Sequence, residues 1–146
     1  MNKNEISLVL SKCLPLENRT LDTPSPEDWV NVENYFKTKL PQEYKYFVDL
    51  MTDFSFPGDI YNPTSKILTN GNDDIILVYE IEIKKSNFSK NLIPFYGIGN
   101  GDYFCLSIED GEKTAVYCTD HSTGEVSKEA DSFEDWIIEI PNFLNG

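Results

Sequence analysis

The sequence predicts an α+β domain: an antiparallel β-sheet of about five to six strands, with helices in the N-terminal half and one C-terminal helix. Three observations carry this. Up to Met51 the apolar residues recur with a helical period, from residue 75 the pattern turns strand-like, and after Ser132 it is helical again. Helices first, hairpin-linked strands next and a helix last is the order of an α+β fold, whereas alternating βα units would build a parallel sheet.

Each element has its own signal. Ile6, Val9, Leu10 and Cys13 stand at i, i+3, i+4 and i+7, an amphipathic helix that Pro15 ends. Residues 16–23 show neither period and read as an irregular connector. Ser25-Pro26-Glu27-Asp28 is a helix start: a serine cap, proline at the first helical position, and acids where the helix N–H groups are unsatisfied. Trp29, Val32, Phe36 and Leu40 line its stripe, and Pro41 stops it near Lys39 because the residue before proline avoids helical torsions. Pro41 opens the next helix, with Tyr44, Phe47, Val48 and Met51 on one face; residues 53–58 close the unit.

Residues 75–78 form a β-branched and aliphatic run that continues into alternating Tyr79, Ile81 and Ile83, read as a strand. A strand passing into a helix over residues 80–89 is the competing reading. Residues 92–95 make another strand, and Gly97-Ile98-Gly99-Asn100-Gly101-Asp102 a turn tolerant of positive φ. Residues 103–108 and 113–119 flank Glu109-Asp110-Gly111-Glu112, the strongest hairpin signal in the chain. Residues 126–129 add a short strand. Ser132-Phe133-Glu134-Asp135 then caps a last helix with Phe133, Trp136, Ile137 and Ile140 on one face, ended by Pro141. With 146 residues the chain reads as one domain, residues 1–24 being the first helix and connector and 25–146 the core.

Charge narrows the function. The net charge is −13, with 7 basic and 10 acidic side chains through Asn72 but 5 against 15 after it, so −10 belongs to the second part. Such a field repels phosphate backbones and anionic membranes and steers a basic protein inward. No nucleic-acid or membrane partner is therefore expected. The N-terminus has acidic Glu5 and too short an apolar stretch for a secretion signal, and no segment nears the length of a membrane helix. A cytoplasmic protein with reduced Cys13, Cys105 and Cys118 is expected, as a monomer or weak homodimer.

Chemistry is sparse. His121 is the sole histidine; with Asp120 it reads as a polar turn after a strand, and a small hydrolase using Cys118 and His121 is a minor alternative. No metal-ligand spacing is present and no cofactor is expected. With Asp110-Gly111 as hairpin centre, Cys105 and Cys118 fall on one face, as small apolar filler, and Phe104, Leu106 and Ile108 on the core face. Gly97-x-Gly99-x-Gly101 leads into a strand, not a helix, so it reads as turn chemistry and not a phosphate loop. No catalytic residue is assigned.

Ordered motifs then carry a resemblance. Leu40-Pro41-x-x-Tyr44-x-x-Phe47 stands first, followed by Leu92-Ile93-Pro94-Phe95, then Gly99-Asn100-Gly101-Asp102-Tyr103-Phe104-Cys105-Leu106. Ala115-Val116-Tyr117, Asp120-His121 and Ser132-Phe133-x-x-Trp136 complete the set, which from Trp29 to Leu144 resembles the SUKH superfamily. Two features depart from it: Asp53-Phe54-Ser55-Phe56 replaces a glycine common after the second helix, and the first helix looks additional. The resemblance implies helices packed on an antiparallel sheet and a non-enzymatic role. Bacterial members are mostly immunity proteins that neutralise polymorphic toxins, often nucleases, and a fungal branch holds the Smi/Knr regulators of cell-wall synthesis. This short chain is more similar to the bacterial kind. The expected partner is a basic toxin domain, and the acids expected to meet it are Asp73, Asp74, Glu80, Glu82, Asp110 and Glu112. The alternative is a regulatory or scaffolding module for another protein.

Overall fold

In the computed structural model, which describes residues 1–17, 23–63 and 74–145, capping and packing together decide where each helix begins and ends. Helix α1 (Lys3–Ser11) starts at Asn2, whose side chain accepts the Glu5 N–H while Glu5 accepts the Asn2 N–H. The same reciprocal box joins Ser25 and Asp28 at the start of α2 (Pro26–Phe36). Although α1 looks additional in sequence, Ile6 and Leu10 are fully buried and the helix lies against α3 and α5. It is part of the core.

Helix α2 stops at Phe36, three residues before the position expected from Pro41, with Lys37 in the left-handed region (φ 56°). The cause is Glu33. This buried carboxylate accepts the Leu40 N–H at 2.8 Å and pairs with Lys45 of α3 (Gln42–Leu50) at 3.3 Å, so the chain must turn early. The segment after α3 that departs from the family pattern brings Phe54 and Phe56 into the core, Phe56 edge-on to Phe47 and Tyr96.

Residues 75–83 correct the strand reading: Ile75–Glu82 is helix α4. Asp74 caps it, accepting the N–H groups of Ile76 and Leu77 at 2.9 and 3.2 Å, and Ile75, Tyr79 and Glu82 form the buried stripe at i, i+4 and i+7. The β-branched run masked this period. The Tyr79 ring stands edge-on to Phe36 and its hydroxyl donates to the Lys90 carbonyl, contacts remote in sequence. The strand thus lost is replaced by β1 (Asp59–Ile60), too short to alternate.

Among the described residues the five strands run β1-β2-β3-β4-β5, every neighbouring pair antiparallel. In β2 (Leu92–Gly97) a bulge between Pro94 and Tyr96 turns both Phe95 and Tyr96 inward. It also accommodates Pro94, which has no N–H for the ladder. Strands β3 (Tyr103–Ser107) and β4 (Val116–Thr119) pair Phe104 with Cys118 and Cys105 with Tyr117, and a 3-10 turn (Gly111–Lys113) lies in their connection. The hairpin centre is therefore Gly111 and not the Asp110-Gly111 bond. That half-residue offset puts Cys105 and Cys118 on opposite faces, correcting the shared face expected from sequence. Cys118 shares its face with Phe104 and Leu106, which do lie on the core side. Cys105 is fully buried on the other. Strand β5 (Val126–Ala130) is the exposed outer edge.

Helix α5 (Phe133–Asn145) covers the core face and runs through Pro141, which was expected to end it. Proline removes one N–H from the ladder, but Phe143 beyond it lies 6.0 Å from both Phe104 and Trp136, and Leu144 is half-buried on the core. Packing outweighs the lost bond. At the centre Tyr44, Phe47, Phe95, Phe133 and Trp136 meet with ring centroids 5.0–6.0 Å apart. The Tyr44 hydroxyl, fully buried, donates to the Tyr61 carbonyl at 2.6 Å.

Candidate functional site

Three segments far apart in sequence meet at one end of the sheet. These are the chain leaving α4, the glycine-rich turn before β3, and the turn between β4 and β5. Glu82, Lys85, Asn87, Phe88, Gly101, Tyr103, Thr119, Asp120, His121 and Gly124 line a small cleft between them. Its cavity volume is about 30 Å³, room for water and not for an organic substrate.

The register of β3 against β4 builds this cleft. Pairing Tyr103 with Thr119 brings Asp102 beside Asp120 and His121. Asp102 Oδ1 accepts the His121 backbone N–H at 2.9 Å and lies 2.7 Å from His121 Nδ1. Those two contacts, the backbone one first, hold the Asp102 carboxyl below its ordinary range. An ionised carboxylate only accepts, so Nδ1 carries the proton. Asp120 Oδ1 accepts from Ser122 Oγ, Ser122 N–H and Thr123 N–H, which pull its pKa down to about 2. Gly101 (φ 96°) is required here, since a Cβ would stand 2.9 Å from the His121 ring.

Deeper in, Glu82 is 5% exposed and takes the Tyr103 hydroxyl at 2.7 Å and Lys85 Nζ at 2.8 Å. Desolvation, followed by this carboxylate, drives the Tyr103 phenol pKa far up. The group is a closed hydrogen-bonded knot.

Two chemistries are measured against this geometry. Asp102, Asp120 and His121 each offer a ligand atom within 4.8 Å of the others, so they could hold a cation. Asp102 Oδ1 and Asp120 Oδ1 already accept N–H and O–H donors, which compete with such an ion for these carboxylates. The Cys118–His121 hydrolase reading meets a thiol whose pKa burial, then Glu129, raises to about 11, leaving almost no thiolate near neutrality. Meanwhile His121 Nδ1 is turned to Asp102.

The acids expected to meet a partner lie on two elements. On α4, Asp74 is spent as the helix cap, Glu82 is buried in the knot, and Glu80 is exposed, its Oε1 accepting the Tyr35 hydroxyl at 2.6 Å. Asp110 and Glu112 stand exposed on the β3–β4 connection. Asp73 lies outside the described residues. Sequence reasoning passed over Asp102; the signal that would have found it is the hairpin register, which places residue 102 across from 120. Among the described residues, no helix is long and apolar enough to cross a membrane.

Residues 7–142 match the SUKH_5 family model, described as SMI1-KNR4 cell-wall. No curated protein matches the chain.

Proposed function

The chain belongs to the SMI1-KNR4 family of the SUKH superfamily, and from that premise we propose that it is an immunity protein that binds and neutralises a cognate polymorphic toxin, a basic nuclease domain, in the cytoplasm. The observation that carries this reading is the exposed acidic surface of the second half. Glu80, Asp110, Glu112, Glu125, Glu129 and Glu139 all face solvent in a part of the chain that carries −10 of the −13 charges. A nuclease grips phosphates with cationic side chains, so an acidic protein over its cleft is electrostatically matched to it and competes with nucleic acid for the same groups. The turn residues Asp102, Asp120 and His121 serve architecture in this reading, holding two loops together.

Growth rescue tests it. Expression of the toxin domain encoded beside this chain should arrest growth, and co-expression of the chain should restore it; undiminished killing overturns the proposal. A second reading, a regulatory module bound to a host protein, is favoured by the family description, which names the cell wall. Capture of a cell-wall regulator with no toxin bound would select it.

A further inference from the structure

Helix α4 reads Ile-Ile-Leu-Val-Tyr-Glu-Ile-Glu and is apolar on nearly every side. A helix of that composition belongs in an interior, yet α4 lies on the surface. Its inner stripe, Ile75, Tyr79 and Glu82, accounts for half of this: it packs on β2 and the core. Its outer stripe is left over. Leu77 is 47% and Ile81 51% exposed, one turn apart on the same face. Tyr35 of α2 extends this face through its hydrogen bond to Glu80; its ring is 42% exposed and braced edge-on by Phe36 and Tyr79. Glu80 therefore stands among three apolar side chains, with Oε1 engaged by Tyr35. A held aromatic ring, two aliphatic side chains and a carboxylate among them have the composition of an interface centre, where anchors sit in a patch that excludes water.

The sheet edges offer less. β1 has two residues, and β5 carries Lys128 and Glu129 beside a bulge, devices that keep an edge from pairing with another chain.

Building on the immunity reading, we propose that the outer face of α4, with Leu77, Glu80, Ile81 and Tyr35 at its centre, is the surface that seats the toxin domain, and that the toxin places a cationic side chain, an arginine or lysine, between apolar groups onto Glu80. The occupant follows from charge. A carboxylate inside an apolar patch loses its hydration when covered; the Tyr35 hydroxyl satisfies Oε1, and a cation aimed at the carboxylate offsets the charge that a neutral donor leaves uncompensated. A chain of net charge −13 selects partners of the opposite sign.

The experiment is titration of the full chain with the toxin domain encoded beside it, catalytically inactivated. Leu77→Ser/Ile81→Ser should weaken binding by about 30-fold or more, the scale of a hot spot. Glu80→Lys, which sets like charges face to face, should weaken it by at least about 10-fold. Glu109→Lys, the same charge change at an exposed site on the β3–β4 connection, should stay within about threefold, as expected of a charge outside the contact. Thermal melts establish that each variant is folded; if the double serine variant is not, Ile81→Lys alone decides. Wild-type binding that survives in the α4 variants overturns this inference and leaves the immunity reading standing. A wild-type chain that does not bind the toxin overturns both.

Discussion

Single carboxylates in this protein do different work according to what donates to them. Asp120 is fully exposed, yet three donors within the three residues that follow it hold its pKa near 2. A carboxyl lowered in the folded state stabilises the fold at any pH above its unfolded value, and the benefit is lost as pH falls through the folded value. The difference in melting temperature between wild type and Asp120→Asn should therefore be constant from pH 7 to about 5, where an unperturbed aspartate begins to titrate, and should close toward pH 2. A gap that persists in full at pH 2 contradicts this. Glu82 is the opposite case, buried and dependent on Tyr103 and Lys85. Removing the phenol in Tyr103→Phe takes away a charge-assisted hydrogen bond and should cost roughly 1.5–3 kcal/mol in denaturant unfolding; a loss below about 0.5 kcal/mol would mean that water replaces it. The Asp120 turn was legible, because its donors follow it directly in the chain, but the Asp102–His121 and Glu82–Tyr103 contacts were not. Asp102 and Asp120 are separated by 18 positions and meet through the β3–β4 register, and Glu82 and Tyr103, separated by 21, meet where the end of α4 reaches the sheet.

Among the elements, the start of α2 was readable from its cap. Ser25, Pro26 and Asp28 mark the start of α2 because capping is local chemistry, satisfied by atoms within three residues. Ser25→Ala should accordingly destabilise the fold by about 1 kcal/mol, and Ser25→Asp should recover most of it, read by equilibrium unfolding. Boundaries set by distant partners were not readable. Glu33 shortens α2 by reaching the Leu40 N–H and Lys45, and Phe143 carries α5 past Pro141 by packing on Phe104 and Trp136. Helix α4 is the instructive failure. Its isoleucines, leucine and valine have strand-like propensity, and its exposed Leu77 and Ile81 blur the amphipathic stripe that marks an ordinary surface helix. An element whose two faces are both apolar has no clear period, and an outer face kept for a partner is one physical reason for such a pattern.

At the scale of the whole molecule, net charge governs how a partner arrives. If a basic toxin domain is the ligand, the association rate should fall by about 10-fold or more between low and high salt, while dissociation changes much less. Stopped-flow mixing measures both, and a salt-independent association rate would mean that steering plays no part.

Net charge, the helical N-terminal half, the capped start of α2 and the glycine-rich turn are properties of neighbouring residues, and the chain by itself determined them. The family resemblance rests on the same footing, since its motifs are short and ordered. Tertiary structure alone decided that residues 75–82 are helical, that Cys105 and Cys118 part to opposite faces, and that Asp102 meets His121. Each of these depends on pairing or burial between segments distant along the chain, where a shift of one position in register reverses which side of the sheet a residue occupies.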